Sequence, residues 1–462
     1  VFNRGKIVDT PPMNAFLRYG ADQNKQPVAT VFDFSKQEGI LHLAEKCSGS
    51  GDCRKSHLSG GTMCPSFMAT RSERDTTRAR ANMLRHYYTG KTYGSTNGSS
   101  ASEAEVKNIL DLCLSCKGCK SECPSSVDVG KMKAEFTQEY YDRHGVPFRS
   151  RLVGNFSSQM KMASVFPQAY NFLFRTTPLR RLVNRIVGFH PDRSMPLLHS
   201  TTLRSWYKKY RQSRPLQPDH RNVVLFCDEF TNYNDVQLGQ KAVLLLERLG
   251  YNVLLMDHHE SGRTWLSKGM VRKAKEVAIR NTTLFKQQLD DATPIIGIEP
   301  SAILTLRDEY PELVPAAMHA DAKRIAAQAF LFEEWFAAEI TAGRISATSF
   351  AGREAAVRVH GHCHQKSLSS VQHIVAALSV VPGFQVTEIP SGCCGMAGAF
   401  GYEKEHYDVS MQIGELVLFP AVRQMDDTMI VAASGTSCRH QIKDGTGKKA
   451  MHTAEILYDA LA

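Results

Sequence analysis

The chain has no apolar run of the roughly 18 residues that a membrane-spanning helix requires. Its mean hydropathy is −0.28 over 462 residues. The segment Val1–Gly20 also lacks the charged head, apolar centre and small-residue cleavage site of a secretory signal. These absences argue against a transmembrane anchor and against secretion, so we expect a soluble, cytoplasmic protein.

Acidic residues are nearly absent between Arg175 and Arg214. That stretch holds ten Lys or Arg residues against a single acid, Asp192, in a chain whose net charge is +10. A solvated basic linker between domains is the simplest interpretation. The alternatives are docking against an acidic partner domain or anionic lipid headgroups, and a nucleic-acid surface, which we favour least and do not expect.

Cysteine is unevenly distributed. Of the twelve cysteines, seven lie between Cys47 and Cys123 and four lie in the last hundred or so residues, which leaves Cys227 alone in the middle. A secreted disulfide framework would spread its cysteines along a short chain. The clustering therefore predicts metal binding in a reducing compartment.

The strongest motif is Cys113-Leu-Ser-Cys116-Lys-Gly-Cys119-Lys-Ser-Glu-Cys123-Pro124, with the spacing C-x2-C-x2-C-x3-C-P. This is the run found in bacterial ferredoxins, whose fourth cysteine binds a second, neighbouring iron–sulfur cluster. Zinc sites use two separated C-x2-C pairs instead. The motif therefore predicts two iron–sulfur clusters.

A second group of cysteines, Cys47, Cys53 and Cys64, supplies the remaining ligands. If the ligands are exchanged between the clusters as in ferredoxins, one 4Fe-4S cluster has a complete set of four thiolates. That set is Cys113, Cys116, Cys119 and Cys64.

The other cluster is left with Cys47, Cys53 and Cys123. Three thiolates can hold a 3Fe-4S cluster, or a 4Fe-4S cluster with a non-cysteine ligand such as Ser50 or His57, and we favour 3Fe-4S slightly. The C-x5-C spacing resembles the 3Fe-4S site in the iron–sulfur subunit of succinate dehydrogenase. The segment also resembles the α-helical ferredoxin domain of that subunit.

From Asn222 onward, short β-branched runs alternate with amphipathic helices, which is typical of a parallel sheet built from βαβ units. The pattern occurs twice, so we predict an internal duplication. The first copy has predicted strands at 223–227, 252–257 and 294–299 and helices at 236–249 and 271–289. The second has strands at 355–360, 384–389 and 428–433 and helices at 368–378 and 403–422.

The predicted fold class is α+β multidomain, an α-helical dicluster ferredoxin domain followed by a duplicated α/β domain with parallel sheets. Five segments are expected. They are an extended arm at 1–35, the ferredoxin domain at 36–150, a basic helical linker at 151–220, a degenerate first repeat at 221–345 and a second repeat at 346–462. Helices are predicted at 103–112 and at 131–141, the latter capped by Asp128.

Four cysteines follow the three strands of the second repeat, and strand ends converge at one edge of a parallel sheet. Cys363, Cys393, Cys394 and Cys438 are therefore candidate ligands of a metal, with His362 or His364 as further candidates. Either an iron–sulfur cluster or a mononuclear zinc or iron site would fit. Buried cysteines that only fill a core, or a redox disulfide, are the alternatives.

The equivalent loops of the first repeat have mostly lost their cysteines, which favours a scaffold role. One loop keeps Glu260 and Arg263 beside two histidines. Because arginine can grip a carboxylate with two hydrogen bonds, recognition of a substrate, quinone or partner is a second hypothesis for this loop.

Together, the ferredoxin run, the Gly392-Cys393-Cys394-Gly395 turn and Cys438 resemble the iron–sulfur subunits of glycolate oxidase, of lactate oxidation systems and of anaerobic glycerol-3-phosphate dehydrogenase. Those proteins have cysteine-rich (CCG) domains, and the resemblance runs from about Lys46 to the C-terminus. This chain has Gln441 where the last cysteine of the family's motif stands, which puts the usual cluster there in doubt.

The arm Phe2–Asp9 resembles the end of a flavin-linked oxidase domain. The resemblance implies the C-terminal half of an FAD and iron–sulfur D-2-hydroxyacid dehydrogenase of the D-lactate or D-2-hydroxyglutarate type. FAD would lie in a flavin domain, fused or separate, and electrons would pass to a quinone or another acceptor. Because no G-x-G-x-x-G fingerprint follows a predicted strand, we expect this part alone to be inactive. Peripheral contact with the inner membrane face is left open.

Two other functions remain open. The C-terminal cysteine site resembles that of heterodisulfide reductases, so the chain itself could reduce a disulfide or a quinone. A metal-stabilised module that binds nucleic acid through the basic linker is the least favoured function.

Overall fold

The computed structural model describes residues 5, 8–13, 15, 26–93 and 101–462. Most of the segment Phe2–Asp9, on which the resemblance to a flavin domain rests, lies outside the described residues. Within the described part, no helix is both long and apolar enough to cross a membrane.

The cysteine-rich N-terminal region is helical, as the sequence predicts. Its α-helices are α1 (Ile40–Glu45), α2 (Pro65–Thr70), α3 (Thr77–Tyr93), α4 (Glu103–Leu110), α5 (Gly118–Ser121) and α6 (Val129–His144). Asp128 caps α6 by accepting a hydrogen bond from the amide of Lys131 at 2.9 Å. Both helices predicted in this region, and the predicted cap, are confirmed.

The basic segment that follows folds into short helices. These are α7 (Phe148–Gly154), α8 (Phe156–Ala163), α9 (Pro167–Arg175), α10 (Thr177–Val187) and α11 (Leu203–Ser213). Pro167 and Pro178 stand in the first turns of α9 and α10, where a missing amide proton costs nothing and where a helix extending from the preceding residues would be broken. The segment therefore forms a chain of short helices instead of one long one.

The first parallel sheet has the strand order β2-β1-β3-β4. Its strands are β1 (Arg221–Phe226), β2 (Tyr251–Leu254), β3 (Ile295–Gly297) and β4 (Ala329–Leu331). The helices around it are α12 (Glu229–Tyr233), α13 (Val236–Arg248), α14 (Arg263–Ser267), α15 (Val271–Gln288), α16 (Pro300–Asp308), α17 (Tyr310–Leu313), α18 (His319–Gln328) and α19 (Phe332–Thr341). The sequence did not predict β4, because three residues are too few to show a strand pattern.

The second parallel sheet has the order β6-β5-β7, with β5 (Ala355–His360), β6 (Phe384–Glu388) and β7 (Ile430–Ala433). Its helices are α20 (Cys363–Leu368), α21 (Gln372–Leu378), α22 (Tyr407–Glu415), α23 (Leu418–Arg423), α24 (Thr436–Thr446) and α25 (Thr453–Asp459). In both sheets the first strand is central, with the second and third strands on either side. The shared order agrees with the predicted duplication.

The helix predicted at 403–422 is wrong in its extent, because the chain forms α22 and α23 with a break between them. Pro420 lies at the third residue of α23 and has no amide proton to donate to the preceding turn. One continuous helix through this point would lose that hydrogen bond and clash with the proline ring. A new helix therefore begins just before Pro420.

The helical N-terminal region and the sheets share one apolar core. Phe136 of α6 and Leu304 of α16 belong to the same group of packed buried side chains, and a second group joins Val223 of the first sheet to Val359 of the second. The cysteine-bearing region is thus packed against the α/β part rather than tethered to it.

A buried ion pair ties the loop between α4 and α6 to the first repeat. Lys117, whose side chain is 8% exposed, contacts Asp308 and lies 2.6 Å from Glu309. Lys120 contacts the other oxygen of Asp308. The two lysines hold the pKa of Asp308 below its ordinary value, against the effect of burial. Ion pairs at the centre of the loop therefore hold it against the first repeat.

We expect Asp308→Asn to lower the free energy of unfolding by about 3 kcal/mol, because it leaves the buried Lys117 with one acidic partner instead of two. Denaturant unfolding measures the change. Asp459→Asn is the matched control, since it breaks the exposed pair with Lys241 and should cost less than about 1 kcal/mol. Equal effects of the two substitutions would contradict the assignment.

Candidate iron–sulfur and metal centres

Four thiols lie where the loop between α4 and α6 meets the start of α2. Three belong to the loop and the fourth, Cys64, is the residue before α2. Burial raises the pKa of Cys119 well above its ordinary value, and the nearby groups that add to the rise include the thiols of Cys113 and Cys64. Cys116 is affected in the same way by Cys64 and Cys119. The four cysteines predicted for one cluster therefore lie close together.

The local backbone explains how the loop turns its thiols inward. Ser115 and Lys117 have φ values of 52° and 63°, in the left-handed region that non-glycine residues rarely adopt. The Cα of Gly118 faces the backbone of Met63, where a Cβ would lie 3.1 Å from the amide nitrogen. Any larger residue at this position would push the loop away from the segment that carries Cys64.

A buried arginine contacts this thiol set. Arg80 is 1% exposed, and its guanidinium donates to the Cys64 sulfur at 3.3 Å, to the Ser66 hydroxyl at 3.0 Å and to the Ile109 carbonyl at 3.1 Å. A cation is costly to bury unless negative charge lies beside it. Asp75 supplies part of that charge, 3.9 Å from the guanidinium. A thiolate of Cys64 bound to a cluster would add to it, so Arg80 fits a metal-bound Cys64. Sequence reasoning missed Arg80, because it lies on α3 far from any cysteine motif.

The second thiol set borders a small cavity of about 10 Å³. Its cysteines are Cys47, Cys53 and Cys123, and Ser50 is also part of the lining. His57 is not in that lining, and its Nδ1 lies 3.3 Å from the guanidinium of Arg71. Of the two non-cysteine candidates, only Ser50 therefore faces the cavity.

Two glycines shape this cavity. Gly49 and Gly51 have φ values of 78° and 87°, and no atom lies within 4 Å of where their Cβ atoms would be. The tight turn that carries Ser50 depends on their freedom to adopt this conformation. All seven N-terminal cysteines are free thiols, so the donor chemistry at both sets fits iron–sulfur clusters.

The four C-terminal cysteines meet at the carboxyl edge of the second sheet, as predicted. Cys363 begins α20 after β5, Cys393 and Cys394 lie in the turn after β6, and Cys438 lies in the first turn of α24 after β7. All four are buried. The ligand atoms of His360, Cys394 and Cys438 lie within 4.8 Å of one another, which is a spacing that a single metal ion could bridge.

His360 is the histidine of this site, and the sequence analysis did not name it. Its Nδ1 pairs with the Ser391 hydroxyl at 2.7 Å. Its Nε2 is buried, has no hydrogen-bond partner within the described part of the chain, and lies in reach of the two thiols. A buried, unpaired ring nitrogen is costly unless a ligand satisfies it. The residues thus fit a metal ion. His360 is the last residue of β5, and this position at a strand end is the feature from which the sequence could have indicated it as a ligand.

The two histidines named from the sequence have other partners. His362 accepts a hydrogen bond from the amide of His364 at 3.2 Å, which caps α20. His364 donates from Nε2 to the carbonyl of Ser115 at 3.1 Å. The first therefore shapes the turn, and the second ties the turn to the N-terminal loop.

Hydrogen bonds between the C-terminal thiols favour the thiolate form of two of them. Bonds from Cys393 and Cys438 lower the pKa of Cys394 well below its ordinary value despite burial. A bond from Cys393 likewise lowers the pKa of Cys363. Thiolates bind metals and attack disulfides, whereas thiols do neither well.

The first thiol set and the C-terminal site lie against each other. Cys116, Cys363 and Cys393 belong to one group of packed buried side chains. The Ser367 hydroxyl donates to the Cys116 carbonyl at 3.2 Å. A Cβ on Gly392 would lie 2.9 Å from the carbonyl oxygen of Gly61, so the two chain segments approach closely.

Arg263 and Glu260 both have partners inside the protein. The Arg263 guanidinium donates to Glu309 at 2.6 Å, and Glu260 accepts a hydrogen bond from the Trp265 indole at 3.3 Å. Glu309 is shared with Lys117. Arg263 therefore connects α14 to the ion pairs that hold the N-terminal loop.

A cavity of about 520 Å³ lies between the two cysteine regions and the basic helices. Cys113 and Cys363 border it on one side, and Tyr170, Phe174 and Val183 of α9 and α10 border it on the other. Arg263 also lines it. A mostly apolar space of this size is typical of a site for a small molecule.

Comparison with known proteins agrees with this geometry. Residues 46–128 match the family model described as a 4Fe-4S dicluster domain. The chain is 24% identical to D-2-hydroxyglutarate dehydrogenase of Escherichia coli (strain K12) over 458 residues, which cover 90% of this chain and 44% of that protein.

Two further relatives match shorter parts. One of them, a component of the anaerobic glycerol-3-phosphate dehydrogenase of Escherichia coli (strain K12), is 26% identical over 343 residues, 73% of this chain and 83% of that one. Lactate utilization protein A of Anoxybacillus flavithermus (strain DSM 21510 / WK1) is 24% identical over 247 residues, 51% of this chain and 98% of that one.

The chain spans less than half the length of the D-2-hydroxyglutarate dehydrogenases that it matches. Its relatives include D-2-hydroxyglutarate dehydrogenases and a component of a glycerol-3-phosphate dehydrogenase. In its own dicluster region, four of the seven cysteines are buried and three are partly buried. Residues 46–128 of the chain therefore match a 4Fe-4S dicluster domain, and the thiol sets that the structure brings together there fit iron–sulfur clusters.

Proposed function

We propose that the chain is the iron–sulfur portion of an FAD-linked dehydrogenase that oxidises a D-2-hydroxyacid of the D-lactate, D-2-hydroxyglutarate or glycolate class. The observation that carries the proposal is the direct packing of the first thiol set on the C-terminal cysteine site through Cys116 and Cys363. A series of adjoining centres suits passage of electrons through the protein better than a single isolated site would.

The cluster assignment follows the two thiol sets. Cys113, Cys116, Cys119 and Cys64 would hold a 4Fe-4S cluster, and Cys47, Cys53 and Cys123 would hold a 3Fe-4S cluster or a 4Fe-4S cluster completed by Ser50. Such clusters, when bound, accept and release one electron at a time. The protein positions the ligands, excludes water from them and places Arg80 against Cys64.

The proposed partners of this electron transfer are a flavin domain and an electron acceptor. FAD would belong to a flavin domain, fused or separate, and the acceptor would be a quinone or another carrier. The names of the relatives support the substrate class, since they include a D-2-hydroxyglutarate dehydrogenase and a lactate utilization protein. The cytoplasm, with peripheral contact at the inner membrane face, is the proposed location.

At the C-terminal site, Cys363, Cys393, Cys394 and Cys438 would bind a metal, with His360 replacing His362 and His364 as the imidazole ligand. Zinc, iron or a cluster would each accept this donor set. A substrate-binding role for Arg263 and Glu260 has less support, because Glu309 and Trp265 already engage them. Arg263 still borders the 520 Å³ cavity.

One observation favours a second candidate function, a disulfide or quinone reductase that works at the C-terminal site. Hydrogen bonds from Cys393 and Cys438 lower the pKa of Cys394, and a bond from Cys393 lowers the pKa of Cys363, which borders the large cavity. A reactive thiolate at a cavity is what such a reaction requires. Metal bound stoichiometrically by these cysteines would argue against this function.

In anaerobically reconstituted protein, the two N-terminal clusters should contribute about seven or eight irons per chain, according to whether the second cluster is 3Fe-4S or 4Fe-4S. Iron in excess of about eight would belong to the C-terminal cysteine site. Iron analysis and electron paramagnetic resonance measure this. A 3Fe signal in the oxidised state supports the smaller cluster. A colourless protein that contains zinc would overturn the cluster assignment.

The substrate class can be tested with the chain and the flavin domain that accompanies it. When the two are combined anaerobically, D-lactate or D-2-hydroxyglutarate should bleach the visible absorbance of the clusters, because electrons from the flavin reduce them. The chain without the flavin domain should show no bleaching. Bleaching of the isolated chain, or none in the combination with any D-2-hydroxyacid, would contradict the proposal.

His360→Gln should weaken metal binding at the C-terminal site by about 10- to 100-fold or more. Removing a residue that only hydrogen-bonds to a metal ligand typically costs about 10- to 100-fold, and a ligand itself should cost no less. Metal content after dialysis against a weak chelator measures this. His364→Gln is the matched control, since that ring bonds to Ser115 and lies outside the 4.8 Å group. Equal retention of metal by both variants would remove His360 from the ligand set.

A further inference from the structure

Large apolar side chains are concentrated on the outer surface of α8, α9 and α10. Six of them are between 55% and 75% exposed: Met162, Val165, Phe166, Phe172, Leu182 and Ile186. Elsewhere in the described part of the chain, strongly exposed large apolar side chains such as Leu58 and Leu216 are isolated in sequence. Isolated apolar residues are ordinary on protein surfaces, whereas a concentration marks an interaction site.

The same helices carry only positive charge. Residues 148–187 contain seven Lys or Arg residues and no Asp or Glu. Lys161, Arg175 and Arg185 are exposed, and on α10 the basic Arg181 and Arg185 flank the apolar Leu182 and Ile186. A helix surface that combines exposed apolar side chains with lysine and arginine is suited to the boundary between headgroups and acyl chains.

The inner side of these helices forms one wall of the 520 Å³ cavity. Tyr170, Phe174 and Val183 face it from α9 and α10, and Cys113 and Cys363 lie at its far side. The helices thus separate an apolar cavity beside the thiol sets from the apolar outer surface.

We propose that the outer surface of α7 to α10 docks on an anionic lipid bilayer, at the depth of the headgroups. Docking would bring the cavity within reach of a lipid-soluble quinone. The proposal rests on the proposed function for this role of the surface. Arg149 is paired with Glu403 and Glu405, and Arg181 with Asp192. The charge that complements anionic headgroups therefore comes from the other five basic residues of this segment. The helices are short and broken at prolines, so they lie on the bilayer without crossing it.

The test is flotation of the full chain, with its clusters reconstituted, on vesicles of phosphatidylcholine with and without phosphatidylglycerol. We expect binding to the anionic vesicles that weakens as salt rises. Lys161→Glu/Arg175→Glu/Arg185→Glu should lower the partition coefficient on the order of 100-fold or more, from about 1 kcal/mol for each basic residue near the surface. Phe172→Ser/Ile186→Ser should also weaken binding, and it should do so at any salt concentration.

Matched controls use equally exposed residues elsewhere. Lys273→Glu/Arg280→Glu/Lys323→Glu makes the same change of charge on α15 and α18, and Leu58→Ser removes an exposed leucine, so all should bind like the wild type. The proposal is overturned if the wild type fails to bind anionic vesicles, or if the α8–α10 variants bind like the controls. It is also overturned if these variants lose association with the flavin domain instead of with vesicles.

The visible spectrum of each variant shows whether the fold and the clusters persist. Loss of vesicle binding with an unchanged spectrum supports the docking surface. If no clusters form in any sample while vesicle binding follows the pattern above, the proposed electron transfer fails and the docking surface stands. The two failures are therefore distinguishable.

Discussion

The rest of the structure depends on how the loop from Cys113 to Cys123 is held. Lys117 projects from the centre of this loop into a nearly solvent-free space and meets Asp308 and Glu309 of the first repeat. On the other side, His364 and Ser367 of the second repeat bond to the carbonyls of Ser115 and Cys116. A loop with left-handed residues and inward-facing thiols would not keep one shape alone, so both repeats are needed to fix it.

This constraint explains why a duplicated α/β unit follows a cysteine-rich helical region. The first repeat keeps only Cys227 among the cysteines of its strand-end loops, but it has the acidic residues that anchor Lys117 and Arg263. The second repeat keeps its cysteines and presents them to the same loop. The first repeat therefore holds the loop in place, and the second repeat brings the C-terminal cysteine site against the first thiol set.

The role of the basic segment depends on where the tertiary structure places its helices. By its sequence, it is a linker rich in arginine. In the structure its helices form one wall of the cavity that the two cysteine regions border, and their outer surface remains apolar and positive. The wall therefore has one side toward the thiol sets and the other toward solvent.

The sequence by itself determined the helical cysteine region and the duplicated parallel sheets, and it predicted the cysteines of each site, because all of these follow from local spacing and periodicity. Only the tertiary structure showed that His360, not His362 or His364, faces Cys394 and Cys438, and that Arg263 is paired with Glu309. It also decided that Arg80 lies beside Cys64 and that Cys116 packs on Cys363. These contacts join residues that are remote in the chain or depend on where a side chain points, and spacing along a sequence carries no information about either.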